Sequence, residues 1–185
     1  YKAKILLSSG HEVLDQISIP FGIRTISFSA KEGFKLNDLS LKLKGGCVHH
    51  DNGLLGAASL DRAEMRKIEL LKANGYNAVR CAHNPPAEAF LRACDEQGML
   101  VIDEAFDHWQ KEKNPQDYHR FFDEWNEKDI SAMVLRDRNH PSVIMWSIGN
   151  EIQERSDDAG VEIAERLRNI VKKLDPSRPV TAAIN

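Results

Sequence analysis

The apolar positions of this 185-residue chain change rhythm along its length, and the changes mark its elements. Val13, Ile17, Ile19, Phe21, Ile23, Ile26 and Phe28 recur mostly at two-residue steps, interrupted by Pro20 and Gly22. Strand side chains alternate between faces, so this spacing predicts half-buried antiparallel strands over residues 1 to about 32. Gly33 and Asn37-Asp38 predict turns, and Leu39-Ser-Leu-Lys-Leu opens a new strand. After Gly45-Gly46 three-residue steps take over: Met65, Ile68 and Leu71 predict a helix stopped by Gly75. Asn77-Ala-Val-Arg-Cys-Ala reads as a short strand, Pro86 to Gln97 as a helix with Phe90, Leu91 and Cys94 inward, and Met99 to Asp103 as a strand. A longer helix is predicted over residues 119–138, then a strand over Val143 to Ile148. Val161, Ala164, Leu167, Val171 and Leu174 are placed on the inner face of a helix ending before Asp175-Pro176, and Pro179 begins a last strand.

From Leu39 onward the order is therefore βαβαβαβαβ with continuous apolar strands. Such strands are buried on both faces, as in a parallel sheet. A doubly wound sheet and a (β/α)8 barrel both fit this order. No glycine-rich phosphate loop follows a strand, which counts against the nucleotide-binding version. The polar residues favour the barrel, because they cluster where strands end: His49-His50-Asp51, Arg80 with His83-Asn84, Asp103-Glu104, and Asn150-Glu151. Barrel enzymes build their sites on that rim. The expected fold class is thus α/β. Residues 1–33 are read as the terminal strands of an immunoglobulin-like β-sandwich, and residues 34–185 as strands one to five of a TIM barrel. The chain opens on Tyr1 rather than Met and is expected to be a piece of a longer protein.

Composition narrows the function classes. The formal net charge of −3, without a long single-sign run, gives no basis for nucleic-acid binding. No apolar run approaches the roughly 18 residues of a membrane span. Cys47, Cys81 and Cys94 lack metal-ligand spacing and are read as buried free thiols.

A rim of carboxylates, imidazoles, an arginine and indoles suits a polyhydroxylated substrate. Glycoside cleavage needs two carboxyl groups, one of which protonates the leaving oxygen; in retaining enzymes the other attacks from about 5–5.5 Å away. Glu151 suits the acid role, because an apolar strand leads to it and burial raises a carboxyl pKa. Asn150 beside it can hold a ring hydroxyl. Arg80 can be a structural ion-pair partner with Asp103 or Glu104 as its mate, and one of those two carboxylates is read as buttressing Arg80 or a histidine. Trp109 can be a sugar platform or a loop anchor. Trp125 and Trp146 are assigned to the core, and His140 to the structural rim opposite the site.

"FGIRTI", "LKGGCVHHD", "NAVRCAHNPP", "CDEQGMLVIDEA", "RDRNHPSVIMWSIGNE" and "DPSRPVTAAIN" follow one another in this order. Together they resemble glycoside hydrolase family 2, which holds β-galactosidases, β-glucuronidases and β-mannosidases; the likeness runs from about Phe21 to Asn185. It implies a retaining exo-β-glycosidase with a sandwich before a TIM barrel and a β-linked glycoside as substrate. It implies Glu151 as acid/base, with Asn150, His50 and His83 on the sugar. It also implies Arg80 supporting a nucleophilic glutamate on strand seven, beyond this chain, so the chain alone is expected to be inactive. The remaining half-barrel and the preceding sandwich would complete it. "HHDNGLLGAA" is similar to galactosidase-like members from gut Bacteroidetes, so β-galactosidase is the expected activity and a periplasmic or secreted setting the implied one. β-Glucuronidase or β-mannosidase is the alternative, and a non-catalytic sugar-binding scaffold the rival of another class. Two departures stand out. Val48-His49 replaces the usual Asn-Arg before His50, and Asp103-Glu-Ala-Phe-Asp-His-Trp109 lacks the Glu-x-His of a magnesium site. No metal or other cofactor is therefore expected.

Overall fold

The computed structural model describes residues 1–184. The chain opens with an antiparallel hairpin, β1 (Lys2–Ser9) and β2 (Glu12–Pro20), followed by a small antiparallel sheet of β3 (Ile26–Ser29), β4 (Gly33–Leu36) and β5 (Leu39–Ser40). Strands and helices then alternate: β6 (Gly45–His49), α1 (Asp61–Ala73), β7 (Ala78–Ala82), α2 (Glu88–Gln97), β8 (Leu100–Glu104), α3 (His119–Asp137), β9 (Val143–Asn150), α4 (Asp158–Leu174) and β10 (Val180–Ala183). β6 to β10 form one sheet, every pair parallel and each strand beside its neighbour in sequence. A doubly wound sheet would reverse its order at a switch point; this one progresses as a barrel does.

The strand expected to start at Leu39 is two separate pieces. Leu39–Ser40 pairs with β4, whereas the first parallel strand starts at Gly45. A Cβ on Gly45 would lie 1.8 Å from the Ala78 carbonyl oxygen, so β6 meets β7 only where a glycine stands. The glycine pair that looks like an interruption is the beginning of the strand.

Val79, Cys81, Val101, Val143 and Trp146 pack with Ile68, Leu91, Cys94, Ile130, Val134, Leu167 and Val171 between sheet and helices. Each of the Val, Leu and Ile side chains contributes about 1.5–3 kcal/mol when fully buried. Trp146 also donates its Nε1–H to Asp175 Oδ2 at 2.9 Å. Burial would raise the Asp175 pKa, but hydrogen bonds from Ser177, Arg178 and Trp146 outweigh it and hold the carboxyl at about 2.

A second cluster lies at the strand beginnings. Phe34 of β4 packs on Ala78, Leu100 and Ile144, so the small sheet covers the N-terminal end of the parallel one. Arg24 donates to the carbonyls of Pro141 and Val143, and Arg178 donates to Val143 O at 2.7 Å and His140 O at 3.0 Å. His140 itself lies 2.6 Å from Asp95 Oδ2. This end is tied together for stability, which leaves the opposite end for chemistry.

Four expectations are corrected. Val161 is exposed and Ile163 packs against the core instead, because the buried stripe of α4 runs through Gly160, Ile163, Leu167 and Val171. Trp125 is 41% exposed, its ring covered by Lys128 Nζ at 4.2 Å, because it falls on the outer face of α3. Cys47 is exposed while Cys81 and Cys94 are buried. The β1–β2 hairpin alternates as expected, with Ala3 opposite Ile19 and Ile5 opposite Ile17, yet Ile5 and Ile17 are 54% and 56% exposed. Among the described residues, no element covers that apolar face.

Candidate active site

β7, β8 and β9 each bring a polar side chain to their C-terminal ends, and parallel register makes these residues meet. Arg80 stands opposite Ile102, and Glu104 opposite Ser147. A register shift between β8 and β9 leaves Ile144 as an extra residue, after which Met145 and Ser147 line up with Ile102 and Glu104. This bulge sets the phase that turns Ser147 toward Glu104.

Glu104 is the hub and is fully buried. It accepts hydrogen bonds from Arg80 Nε at 2.8 Å, Arg80 Nη2 at 2.9 Å and Ser147 Oγ at 2.6 Å, and His83 Nδ1 lies 2.8 Å away. Burial would lower the Arg80 pKa, but the hydrogen bonds and charge of Glu104 prevail and raise it. The arginine therefore stays charged, and it meets Glu104 with the two-point geometry that favours arginine over lysine. Arg80 also donates to Asn150 Oδ1 at 2.7 Å and, through Nη1, to Cys47 Sγ at 3.3 Å.

Asn150 has both ends of its amide engaged, since its Nδ2 donates to Asp107 Oδ1 at 2.9 Å. Lys113 Nζ donates to that same oxygen at 2.7 Å. Burial would raise the Asp107 pKa; the hydrogen bonds from Lys113 and Asn150 and the Lys113 charge pull it below the usual carboxylate range. Glu151 follows directly, with a backbone φ of +44°. Non-glycine residues rarely occupy this left-handed region and do so chiefly where the surroundings over-determine them, often at functional sites. The burial expected of Glu151 is not found: its side chain is exposed, and among the described residues its carboxylate has no hydrogen-bond or ion-pair partner. The reason is positional, because β9 ends at Asn150 and Glu151 is the first residue beyond it.

The structure thus brings Arg80, His83, Glu104 and Asn150 together and sets Glu151 at their margin. Among the described residues, the other sequence candidates make no hydrogen bond to the hub. His49 packs edge-on to His83 with ring centres 5.3 Å apart, whereas His50 Nε2 lies 3.1 Å from Ala57 O of its own loop. Trp109 is buried, with Nε1–H donated to Ile148 O at 2.8 Å, so its ring faces are not open to a sugar in this chain. A Cβ at Gly149 would lie 2.9 Å from that Nε1, so a glycine is needed for the indole to sit there. Asp107, Lys113 and Ser147 were not singled out from sequence. Asp107 follows Asp103-Glu104 closely enough to be noticed, but nothing periodic marks Lys113. A divalent ion does not suit this donor set: Asp107 is already neutralised by Lys113, and His108 Nε2 lies 3.0 Å from Asp117 Oδ1.

Asp103 points the other way, into the layer between sheet and helices. It is fully buried, and neither carboxyl oxygen has a hydrogen-bond partner among the described residues. Burial first, and then the neighbouring charge of Asp137, push its pKa well above 3.8. Asp137 is itself gripped by Arg136, at 2.6 Å and 2.7 Å. A raised carboxyl pKa means that stability is greatest below the unfolded value and declines as pH rises toward the folded one. Asp103→Asn is therefore expected to flatten that decline, so that the Tm advantage of the variant grows as pH rises above about 4, the ordinary carboxyl value. Parallel Tm profiles for the two proteins over that range would refute the assignment.

Residues 29–185 match the model of the glycosyl hydrolases family 2 TIM barrel domain. The chain is 44% identical to the β-galactosidase BoGH2A of Bacteroides ovatus, over 94% of this chain and 24% of that protein. It is 40% identical to a putative β-glucuronidase of Formosa agariphila, over 98% of this chain and 17% of the relative. A crystal structure of a glycosyl hydrolase family 2 member from Bacteroides cellulosilyticus superposes with a TM-score of 0.93 at 56% identity, covering 100% of this chain and 24% of that one. The chain thus spans a quarter or less of the length of these relatives. With five sequential parallel strands and a carboxylate-centred rim at their C-terminal ends, this chain belongs to glycosyl hydrolase family 2 and forms part of its TIM barrel domain.

Proposed function

We propose that this chain is part of a retaining exo-acting β-glycosidase that hydrolyses β-galactosides, with Glu151 as general acid/base. The observation that carries the reading is the partly buried Arg80–Glu104–His83–Asn150 network, with Glu151 directly after it in a left-handed backbone. In this reading Glu151 protonates the leaving oxygen and then deprotonates the attacking water. His83, oriented by Glu104, and His50 meet sugar hydroxyls, as does Asn150 once a substrate competes for its amide. Arg80 Nη1, whose partner here is the weak acceptor Cys47 Sγ, has an N–H free for the nucleophile's carboxylate. That nucleophile would be a second glutamate outside this chain, supplied by the other half of the barrel. Residues 1–33 would end a preceding sandwich, and the uncovered apolar face of Ala3, Ile5, Ile17 and Ile19 supports that assignment.

The galactose assignment leans on the Bacteroides ovatus relative, named a β-galactosidase. The Formosa agariphila relative, named a putative β-glucuronidase, favours β-glucuronides as the second reading. One assay tests the core of the proposal. Proton NMR of the full-length protein acting on an aryl β-galactoside is expected to show the β-anomer of galactose first, while the isolated chain releases no sugar. First release of the α-anomer would refute retention. Turnover by the isolated chain would require a nucleophile within these residues.

A further inference from the structure

We infer that Lys113 is a positioning residue that holds the acid/base Glu151 in its working orientation by clamping the peptide bond before it. The inference rests on the reading of Glu151 as proton donor and adds a residue that the family motifs quoted above do not include.

Lys113 lies in the loop between β8 and α3, away from any apolar pattern. Its ammonium has three donors. They reach Asp107 Oδ1 at 2.7 Å, Asp107 O at 2.8 Å and Asn150 O at 3.0 Å. The last of these is the carbonyl of the peptide that joins Asn150 to Glu151. The N–H of the same peptide, belonging to Glu151, donates to Ala183 O at 2.7 Å. One peptide plane is thus held at its oxygen by a cation and at its nitrogen by the neighbouring strand. Rotation about the next bond sets φ of Glu151, which stands at +44°. A fixed plane is what an unfavourable φ requires if it is not to relax.

The lysine is itself well anchored. Asp117 Oδ2 accepts the backbone N–H groups of Lys113 at 2.8 Å and Asn114 at 2.7 Å, which shapes the loop. The Lys113 side chain is only 20% exposed, and its charge is balanced by Asp107, which also takes the Asn150 amide. The cation is therefore neutralised on the Asp107 side while its third donor reaches the acid/base peptide. A loop anchor alone would need no contact with Asn150 O.

The test uses the full-length protein and two β-galactosides, one with an alkyl leaving group that needs protonation and one with a dinitrophenyl group that needs little. Misplacing a reacting group by about 1 Å costs about 10²-fold. Lys113→Met is expected to lower kcat/KM on the alkyl substrate by about 10- to 10²-fold. On the dinitrophenyl substrate the loss should be no more than about 3-fold, because proton donation contributes little there. Lys113→Arg keeps a cationic donor and should retain the wild-type ratio between substrates. Thermal melts establish that each variant is folded, and Lys113→Gln replaces the Met variant if that one is not. Equal loss on both substrates, no loss on either, or a folded Arg variant with the Met variant's ratio would each overturn the positioning role. Glu151→Gln measured alongside separates the two ideas. If it discriminates between the substrates and Lys113→Met does not, only the lysine proposal fails; if Glu151→Gln itself does not discriminate, the proton-donor reading fails first.

Discussion

Glu151→Gln in the full-length protein is expected to reduce kcat/KM on alkyl β-galactosides by about 10²- to 10⁴-fold, the range attributed to a positioned general acid. Dinitrophenyl galactosides should suffer far less in the bond-breaking step, because their leaving group departs without a proton. The amide keeps the shape of the side chain and its exposed position at the end of β9, so folding should be unaffected. The contrast between substrates is the decisive reading. If both lose activity in proportion, Glu151 is binding sugar or supporting the backbone and is not moving a proton.

Glu104→Ala should have the largest structural effect. It removes the acceptor of two Arg80 hydrogen bonds, the partner of His83 and the acceptor of Ser147 at once. Breaking a buried ion pair from one side costs about 3–5 kcal/mol, because the surviving charge is stranded. The Arg80 side chain is 19% exposed, so water relieves only part of that cost. Denaturant unfolding of the full-length protein should show a loss of this order, with activity reduced by at least about 10²-fold as His83 and Asn150 lose their fixed positions. Glu104→Gln, which can still accept from Ser147 and one Arg80 nitrogen, should fall between wild type and the alanine variant. A Glu104→Ala protein of wild-type stability would show that the network is dispensable to the fold. Wild-type turnover in that variant would show that it is dispensable to the site.

Most of the parallel sheet could be read from residue order because periodicity is a local property. α2 begins two residues after the predicted start at Pro86 and ends at Gln97 as predicted; the left-handed Gly98 beyond it, φ +67°, is the predicted stop. α3 fits its predicted span within one residue. The errors came where a partner decides. Gly45 looks like a breaker in isolation and is a strand residue because Ala78 approaches it. Val161 and Trp125 are apolar by type but lie on outer helix faces, and only the packing of α4 and α3 shows this.

The site divides the same way. Residue types and their placement at strand ends were enough to nominate Arg80, His83, Glu104, Asn150 and Glu151, since chemistry at a barrel rim follows from where strands stop. Asp103 and Glu104 are adjacent in the chain, and alternation alone says that they face opposite ways without saying which faces the site. Register supplies the answer: Glu104 meets Arg80 and Ser147, while Asp103 is buried beside Asp137. Lys113 lies six residues past Asp107 in an irregular loop, and its link to the Asn150 carbonyl spans 37 residues of sequence. Local pattern thus established the elements and the rim. Three-dimensional packing chose the faces, the pairings and the lysine, because contacts between residues distant in the chain leave no periodic trace in it.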